Sequence, residues 1–234
     1  MAYCGHKSST EARLDRFKDM WVKGDTKWHT RGVNPLLLKH QHILFPVKKS
    51  MMKVFVPLCG KDDSVKWLAE QGLTVIGLDY SDIACKGFFI DNNLKYIKEE
   101  IQSPHIEGGI YKGLNDDLNI TIYCCDYFRF APEVQKDFDA VWDRGGLNAM
   151  DSVNVGKYAS VIIPLMKEEC VNFTEIVHGF PETHSIETIR TAFGEEYVVE
   201  SLDKVGPHSE HYRNVGATGF ELLCVKRKRK HLTT

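Results

Sequence analysis

The sequence predicts an α/β protein whose seven strands form one mostly parallel sheet with one antiparallel edge strand and helices on both faces. Three observations carry this. From residue 52 onward, short apolar runs alternate with stretches of helical periodicity, the pattern of parallel strands joined by crossover helices. The first of these runs is β-branched and apolar without a polar alternation, as in strands covered on both faces. The last two runs follow one another with only the polar stretch 203–219 between them, which suggests an antiparallel pair at one edge.

The elements follow in order. Residues 52–58 (MKVFVPL) read as a buried strand, and 62–71 as a helix with Val65, Leu68 and Ala69 at helical spacing. Residues 73–79 (LTVIGLD) are the second strand. Ser81 and Asp82 then cap a helix that carries Ile83, Phe88 and Phe89. Residues 119–125 (NITIYCC), 138–142 (FDAVW) and 170–177 (CVNFTEIV) are the third, fourth and fifth strands. Helices are expected over 155–166 and 185–193, and the last two strands over 197–202 and 220–225. This order and edge geometry are those of a Rossmann-like methyltransferase, although periodicity does not separate it from other doubly wound folds. Ahead of the sheet, 10–47 reads as a helical segment with Leu14, Phe17 and Trp21 on one face. It is either an amphipathic helix docked on the sheet or a lid over the ligand site, which in such sheets lies outside the carboxyl ends of the strands.

Composition narrows the function classes. The chain has 234 residues, long enough for a full core, and its 43% hydrophobic and 26% charged residues exclude a disordered or polytopic membrane chain. With 30 basic and 32 acidic residues the net charge is −2, unlike a general nucleic-acid binder. No apolar run approaches the roughly 18–20 residues needed to span a bilayer. The start is no secretory signal. The seven cysteines are scattered and odd in number, which argues against a zinc site or disulfide framework and for reduced thiols in the cytoplasm. One domain is expected over 1–234, with the segment 10–47, a core over 52–225 and a basic tail over 226–234.

Chemistry is expected at the strand ends. The first strand leads into Leu58, Cys59, Gly60, Lys61 and Asp62, where Gly60 permits close approach of a ligand to the backbone. The G-x-G-x-x-G fingerprint of dinucleotide binders is missing, which disfavours a nicotinamide oxidoreductase. Asp79 ends the second strand 19 residues after Gly60, the spacing of an acid that accepts from ribose hydroxyls. A helix cap or turn is its other reading. Asp126, Tyr127 and Phe128 follow the third strand and suit an adenine edge and face, or a turn and the core. Asp143 and Arg144 follow the fourth, either as an ion pair or with Arg144 directed at an anionic substrate.

Taken together, Phe17-x3-Trp21-x2-Gly24-x-Thr26-x-Trp28-His29, PLCGK (57–61) with Trp67-Leu68-Ala69, GLDYS, YCCDYF and WDRGGL resemble the thiopurine S-methyltransferase family. The resemblance runs from about residue 13 to 225. It implies a class I methyltransferase that uses S-adenosyl-L-methionine and releases S-adenosyl-L-homocysteine. It assigns Phe17, Trp21, Leu58, Gly60, Asp79, Asp126, Tyr127 and Arg144 to cofactor binding and Trp28 to the acceptor side. His211 stands where the vertebrate enzymes have a substrate-side Arg, and Arg213 follows it. The stretch between Ile176 and Ser185 is shorter than their Pro-rich loop. In this reading Arg144 favours an acceptor thiolate, and Asp19 and His29 are candidates for taking its proton. The expected acceptor is a small aromatic or heterocyclic thiol such as a thiopurine, and the protein is a monomer without nucleic-acid, membrane or metal partners. Two alternatives are a methyltransferase of small thiols, halides or chalcogens on the same fold, and a binding module without turnover.

Overall fold

The computed structural model describes residues 9–45, 52–179, 184–207 and 210–229, and side chains of the first helix from residue 15. Helix α1 (Ser9–Lys23) and helix α2 (Pro35–Leu44) precede the sheet. Proline at the first position of α2 removes a donor that would have no intrahelical partner, and Asn34 caps the helix by accepting from Leu36 N at 2.8 Å. The sheet then alternates with helices: β1 (Lys53–Val56), α3 (Asp63–Glu70), β2 (Thr74–Asp79), α4 (Asp82–Asp91), β3 (Tyr96–Glu100), β4 (Gly108–Gly113), β5 (Ile120–Cys125) and β6 (Phe138–Asp143). After these come α5 (Val155–Ile162), β7 (Met166–His178), α6 (Ile186–Phe193), β8 (Tyr197–Val205), the short α7 (Glu210–Asn214) and β9 (Gly219–Arg227).

Nine strands form one sheet in the order β3-β4-β5-β2-β1-β6-β7-β9-β8. The five central strands β5, β2, β1, β6 and β7 are parallel. The fold class stands, and three details differ from expectation. First, β3 and β4 form an antiparallel hairpin that joins β5 and raises the strand count from seven to nine. Second, the antiparallel strand at the other end is β9, which lies inside the sheet between β7 and β8, so β8 is the edge. Third, Lys226 and Arg227, expected to begin a tail, complete β9, and Arg227 meets Glu196 at 2.6 Å.

Alternation along each central strand feeds two cores. Val54 and Val56 of β1 face Leu37 and Leu44 of α2, Val65 and Leu68 of α3 and Phe88 and Phe89 of α4. Phe55 points the other way, toward Tyr158 and Ile162 of α5 and Ile189 and Phe193 of α6. Burying one such side chain contributes about 1.5–3 kcal/mol. Because α2 is part of the first core, only the α1 half of the 10–47 segment lies outside it.

Candidate active site

The strand order reverses at β1, between β2 and β6, and a crevice is expected outside the carboxyl ends there. A cavity of about 570 Å³ occupies this place. Its floor comes from the turns after β1, β2 and β6, and its roof from α1 and the loop that follows.

The turn after β1 is tight. Leu58 and Gly60 both take left-handed conformations, with φ of 45° and 54°. Such a turn costs a side-chain-bearing residue strain that glycine avoids. A Cβ on Gly60 would approach the Trp21 ring to 3.2 Å, so the glycine lets α1 close on the loop. Asp79 ends β2 behind this turn. It is 7% exposed and accepts from Gly60 N and Ser81 N, each at 2.8 Å. Burial pushes its carboxyl up to about 6, against those two amides. Asp79 therefore fixes the turn and borders the cavity, so the turn and ligand readings of this residue coexist.

Asp62 and Asp143 have settled roles. Asp62 caps α3 through Ser64 N at 2.9 Å and accepts from Trp142 Nε1 at 3.1 Å. Asp143 accepts from Gly146 N at 2.8 Å and from Tyr158 OH at 3.0 Å, and burial raises it to about 6. It does not pair with Arg144. The Arg144 guanidinium instead donates to Thr30 Oγ1 at 2.7 Å and lies 4.0 Å from Glu175. Burial alone would lower its pKa, but the carboxylates of Asp62 and Glu175 outweigh it, and Arg144 stays charged.

The aromatic roof is a connected set. Trp28 packs edge-to-face on Phe17 and Trp21, at 5.6 and 6.0 Å between ring centroids. His29 stands beside Trp21, and its Nε2 is buried without a hydrogen-bond partner among the described residues. Its pKa is lowered, first by burial and then by the charges of Lys61, Arg144 and Arg31, which keeps the ring neutral.

Of the residues singled out in the sequence, Phe17, Trp21, Trp28, Leu58, Gly60, Asp79, Arg144 and His211 come together on this cavity. Four do not. Asp19 is on the exposed side of α1. Asp126 caps the turn after β5 by accepting from Phe128 N at 2.9 Å. Tyr127 is fully buried, donates to Tyr158 O at 2.8 Å and stacks on Tyr158, so the ring that reaches the cavity is Phe128. The 3₁₀ turn over Tyr127–Arg129 breaks the strand alternation and exchanges the two rings. Arg213 is exposed and holds Pro207 O at 2.9 Å. Sequence reasoning missed Glu175 and Tyr212, which also line the cavity. Glu175 was hidden in an apolar strand, where an acid has to be paired; that anomaly was the available signal. Residues 180–183 of the shortened loop lie outside the described residues.

The wall fits a sulfonium nucleoside. Asp79 provides acceptors for vicinal hydroxyls, Gly60 leaves room that a Cβ would fill, Phe128 offers an apolar face for a base, and electron-rich rings suit a cation.

Solved structures share the fold. Magnesium protoporphyrin IX methyltransferase from Synechocystis, with bound S-adenosylhomocysteine, superposes with a TM-score of 0.59 at 14% identity, over 92% of this chain and 100% of that one. The 1,6-didemethyltoxoflavin-N1-methyltransferase of Burkholderia thailandensis gives 0.63 at 12% identity, over 98% and 93%. Fold and site together define a class I methyltransferase. The family model for thiopurine S-methyltransferase matches residues 12–214. A probable thiopurine S-methyltransferase of Danio rerio is 32% identical over 211 residues, 87% of this chain and 89% of that protein. The enzyme of Mus spretus is 30% identical over 221 residues, 91% and 89%. The chain belongs to the thiopurine S-methyltransferase family, and it is an S-adenosylmethionine-dependent enzyme. No helix among the described residues is long and apolar enough to cross a membrane.

Proposed function

We propose that the protein transfers the methyl group of S-adenosylmethionine to the sulfur of a small aromatic or heterocyclic thiol, thiopurines among them. One observation carries this reading: a single cavity joins the Phe17, Trp21 and Trp28 rings to the buried cation of Arg144. Flat rings suit a flat acceptor, and a fixed guanidinium suits a sulfur that reacts as its anion.

Bound at this site, S-adenosylmethionine supplies an electrophilic methyl carbon on a sulfonium centre. Asp79 would accept from the ribose hydroxyls, with Leu58 and Gly60 passing their backbone alongside. Phe17 and Trp21 would turn ring faces toward the positive charge. Asp126 and Tyr127 would act from behind, by holding the turn that presents Phe128. On the other side, Trp28 would pack on the acceptor ring and Arg144 would draw its sulfur into line, with His211 at the rim. Correct alignment of the two partners is worth about 7–11 kcal/mol of barrier, more than one acid or base supplies. We further read the chain as a single catalytic domain that works as a cytoplasmic monomer on small molecules. Its one sheet and its cysteines without paired spacing support that.

An acceptor panel tests the reading. With S-adenosylmethionine present, 6-mercaptopurine and aryl thiols should be methylated with higher kcat/KM than sulfide, selenide or iodide. Preference for the small anions would move the assignment to halide and chalcogen methylation.

A further inference from the structure

Glu175 is a charged side chain in the interior of β7 that the proposed function leaves without a task. Its side chain is 2% exposed, yet it lines the cavity. Asn34, the cap of α2, donates to Oε2 at 2.6 Å, so one oxygen is held by a neutral donor. The other, Oε1, faces Arg144 Nε at 4.0 Å, beyond hydrogen-bond distance. The guanidinium makes its short bond elsewhere, to Thr30. The buried carboxylate is thus near Arg144, its one ion-pair neighbour among the described residues, without being locked to it.

We propose that Glu175 is the residue that takes the proton of the incoming thiol, so that the site accepts thiols in their neutral form. The inference rests on the thiol reading given above. In the step, the S–H bond breaks, its electron pair stays on sulfur, and the proton forms an O–H bond at Oε1. The thiolate then faces Arg144 in place of the carboxylate. One anion beside the guanidinium is exchanged for another, and the net charge of the buried site does not change. A thiolate entering from solution would instead bring a second negative charge next to Glu175, at a cost that grows with burial. The proton returns to water when the methylated product leaves.

Electrostatics around the group agree with this role. Burial raises the Glu175 carboxyl to about 7, against the pull of Arg144 and Asn34 and with the help of Asp62 and Asp143. Tyr212 on α7 also feels it, and burial keeps its phenol protonated. A base poised near neutrality suits transfer from a thiol. His29 is also on the wall, but its protonation would add a cation beside Lys61, Arg144 and Arg31.

The test compares wild type with Glu175→Gln on two acceptors. One is a phenylalkyl thiol, which titrates at about 8.5 or above like cysteine. The other is 4-nitrothiophenol, ionised before it binds. For wild type and the phenylalkyl thiol, kcat/KM should rise with pH and level off near 7, well below the thiol's own pKa. In Glu175→Gln the rise should continue to the thiol's own pKa, with a loss at pH 7.5 on the order of 100-fold or less. With 4-nitrothiophenol the order should reverse: wild type should slow as pH rises through 7, and the variant should be faster. Calorimetry in buffers of different ionisation heat gives a readout apart from turnover. At pH 7.5 the S-adenosylhomocysteine complex of wild type should bind the phenylalkyl thiol without releasing a proton, and Glu175→Gln should release close to one. Glu175→Asp should restore the wild-type profile. Equal losses on both acceptors, or the same proton count in both proteins, would overturn the proposal and leave Glu175 a structural partner of Arg144. If the variant fails to fold, the opposite pH slopes of wild type on the two acceptors decide alone. Failure of the thiol reading is separate, because then neither thiol is bound or methylated.

Discussion

At the scale of single residues, a strand-end acid is ambiguous in sequence, because capping a turn and binding a ribose call on the same carboxylate. Asp126 and Asp143 spend theirs on backbone amides or a buried hydroxyl, whereas Asp62 and Asp79 brace backbone amides (Asp62 also an indole) while bordering the cavity. The spacing of Asp79 from Gly60 was legible; that it also braces the Gly60 turn was not, since this needs the turn's left-handed geometry. Asp79→Ala should weaken S-adenosylhomocysteine by roughly 10- to 100-fold, the value of hydrogen bonds to a charged group, about 1.5–3 kcal/mol. Calorimetry checks it, and unchanged affinity would remove the ribose role. With its carboxyl pushed up to about 6, Asp79 should also lose affinity for the ligand as pH falls below that value. Trp28 meets Phe17 and Trp21 edge-on, and the proposed function sets it beside the acceptor. Trp28→Ala should therefore raise KM for aromatic thiols tenfold or more and change S-adenosylhomocysteine affinity less than threefold, each aromatic contact being worth about 0.5–1.5 kcal/mol. Equal losses would place Trp28 on the cofactor.

At the scale of elements, those with strong apolar periodicity or a recognisable cap were legible, among them β1, β2, β5, β6, α3 and α4. The β3–β4 hairpin was not. β3 is exposed along nearly its whole length, its KYIKEE stretch carries charge where a buried strand carries apolar residues, and β4 begins with two glycines. The pair is held by backbone bonding and by charges such as Lys112 with Glu99 at 2.5 Å, as suits a sheet edge protected from further pairing. Likewise β7 begins four residues before its apolar part, in the charged stretch 166–169. The N-terminal segment divides by burial: α2 belongs to the core, and α1 lines the cavity through Arg16, Phe17, Lys18, Met20 and Trp21. Backbone amides of α1 should exchange more slowly with S-adenosylhomocysteine bound, read by hydrogen exchange mass spectrometry; no change in α1 would contradict its role as a cover. Gly60→Ala should destabilise the protein by about 1–2 kcal/mol, through the left-handed turn and the pressure on Trp21, with a parallel loss of ligand affinity in calorimetry.

At the scale of the whole molecule, buried acids set a charge cost at the sheet's centre. Asp79, Asp143 and Glu175 are buried acids raised to about 6, 6 and 7. Unfolded, such groups titrate near 3.9 and 4.3, so between about pH 4 and 7 the folded chain holds protons that the unfolded chain has lost. Their contribution to stability is present below about pH 4 and declines as pH rises through their folded values. Asp143→Asn removes one of these groups away from the ligand, so its stability deficit against wild type should shrink by on the order of 2–3 kcal/mol between pH 4 and 7. Urea unfolding across that range checks it, and a constant deficit would contradict it. The fold class and the cavity's place were legible because strand order dictates where the crevice lies. The partners of Arg144 were not, since Thr30 and Glu175 are brought to it from 114 and 31 positions away in the chain. The central claim is that this cavity holds S-adenosylmethionine beside a flat thiol, and one assay addresses it: release of S-adenosylhomocysteine from S-adenosylmethionine with and without 6-mercaptopurine. Release that depends on the thiol is the result expected. Tight S-adenosylhomocysteine binding with no thiol-dependent release would contradict it.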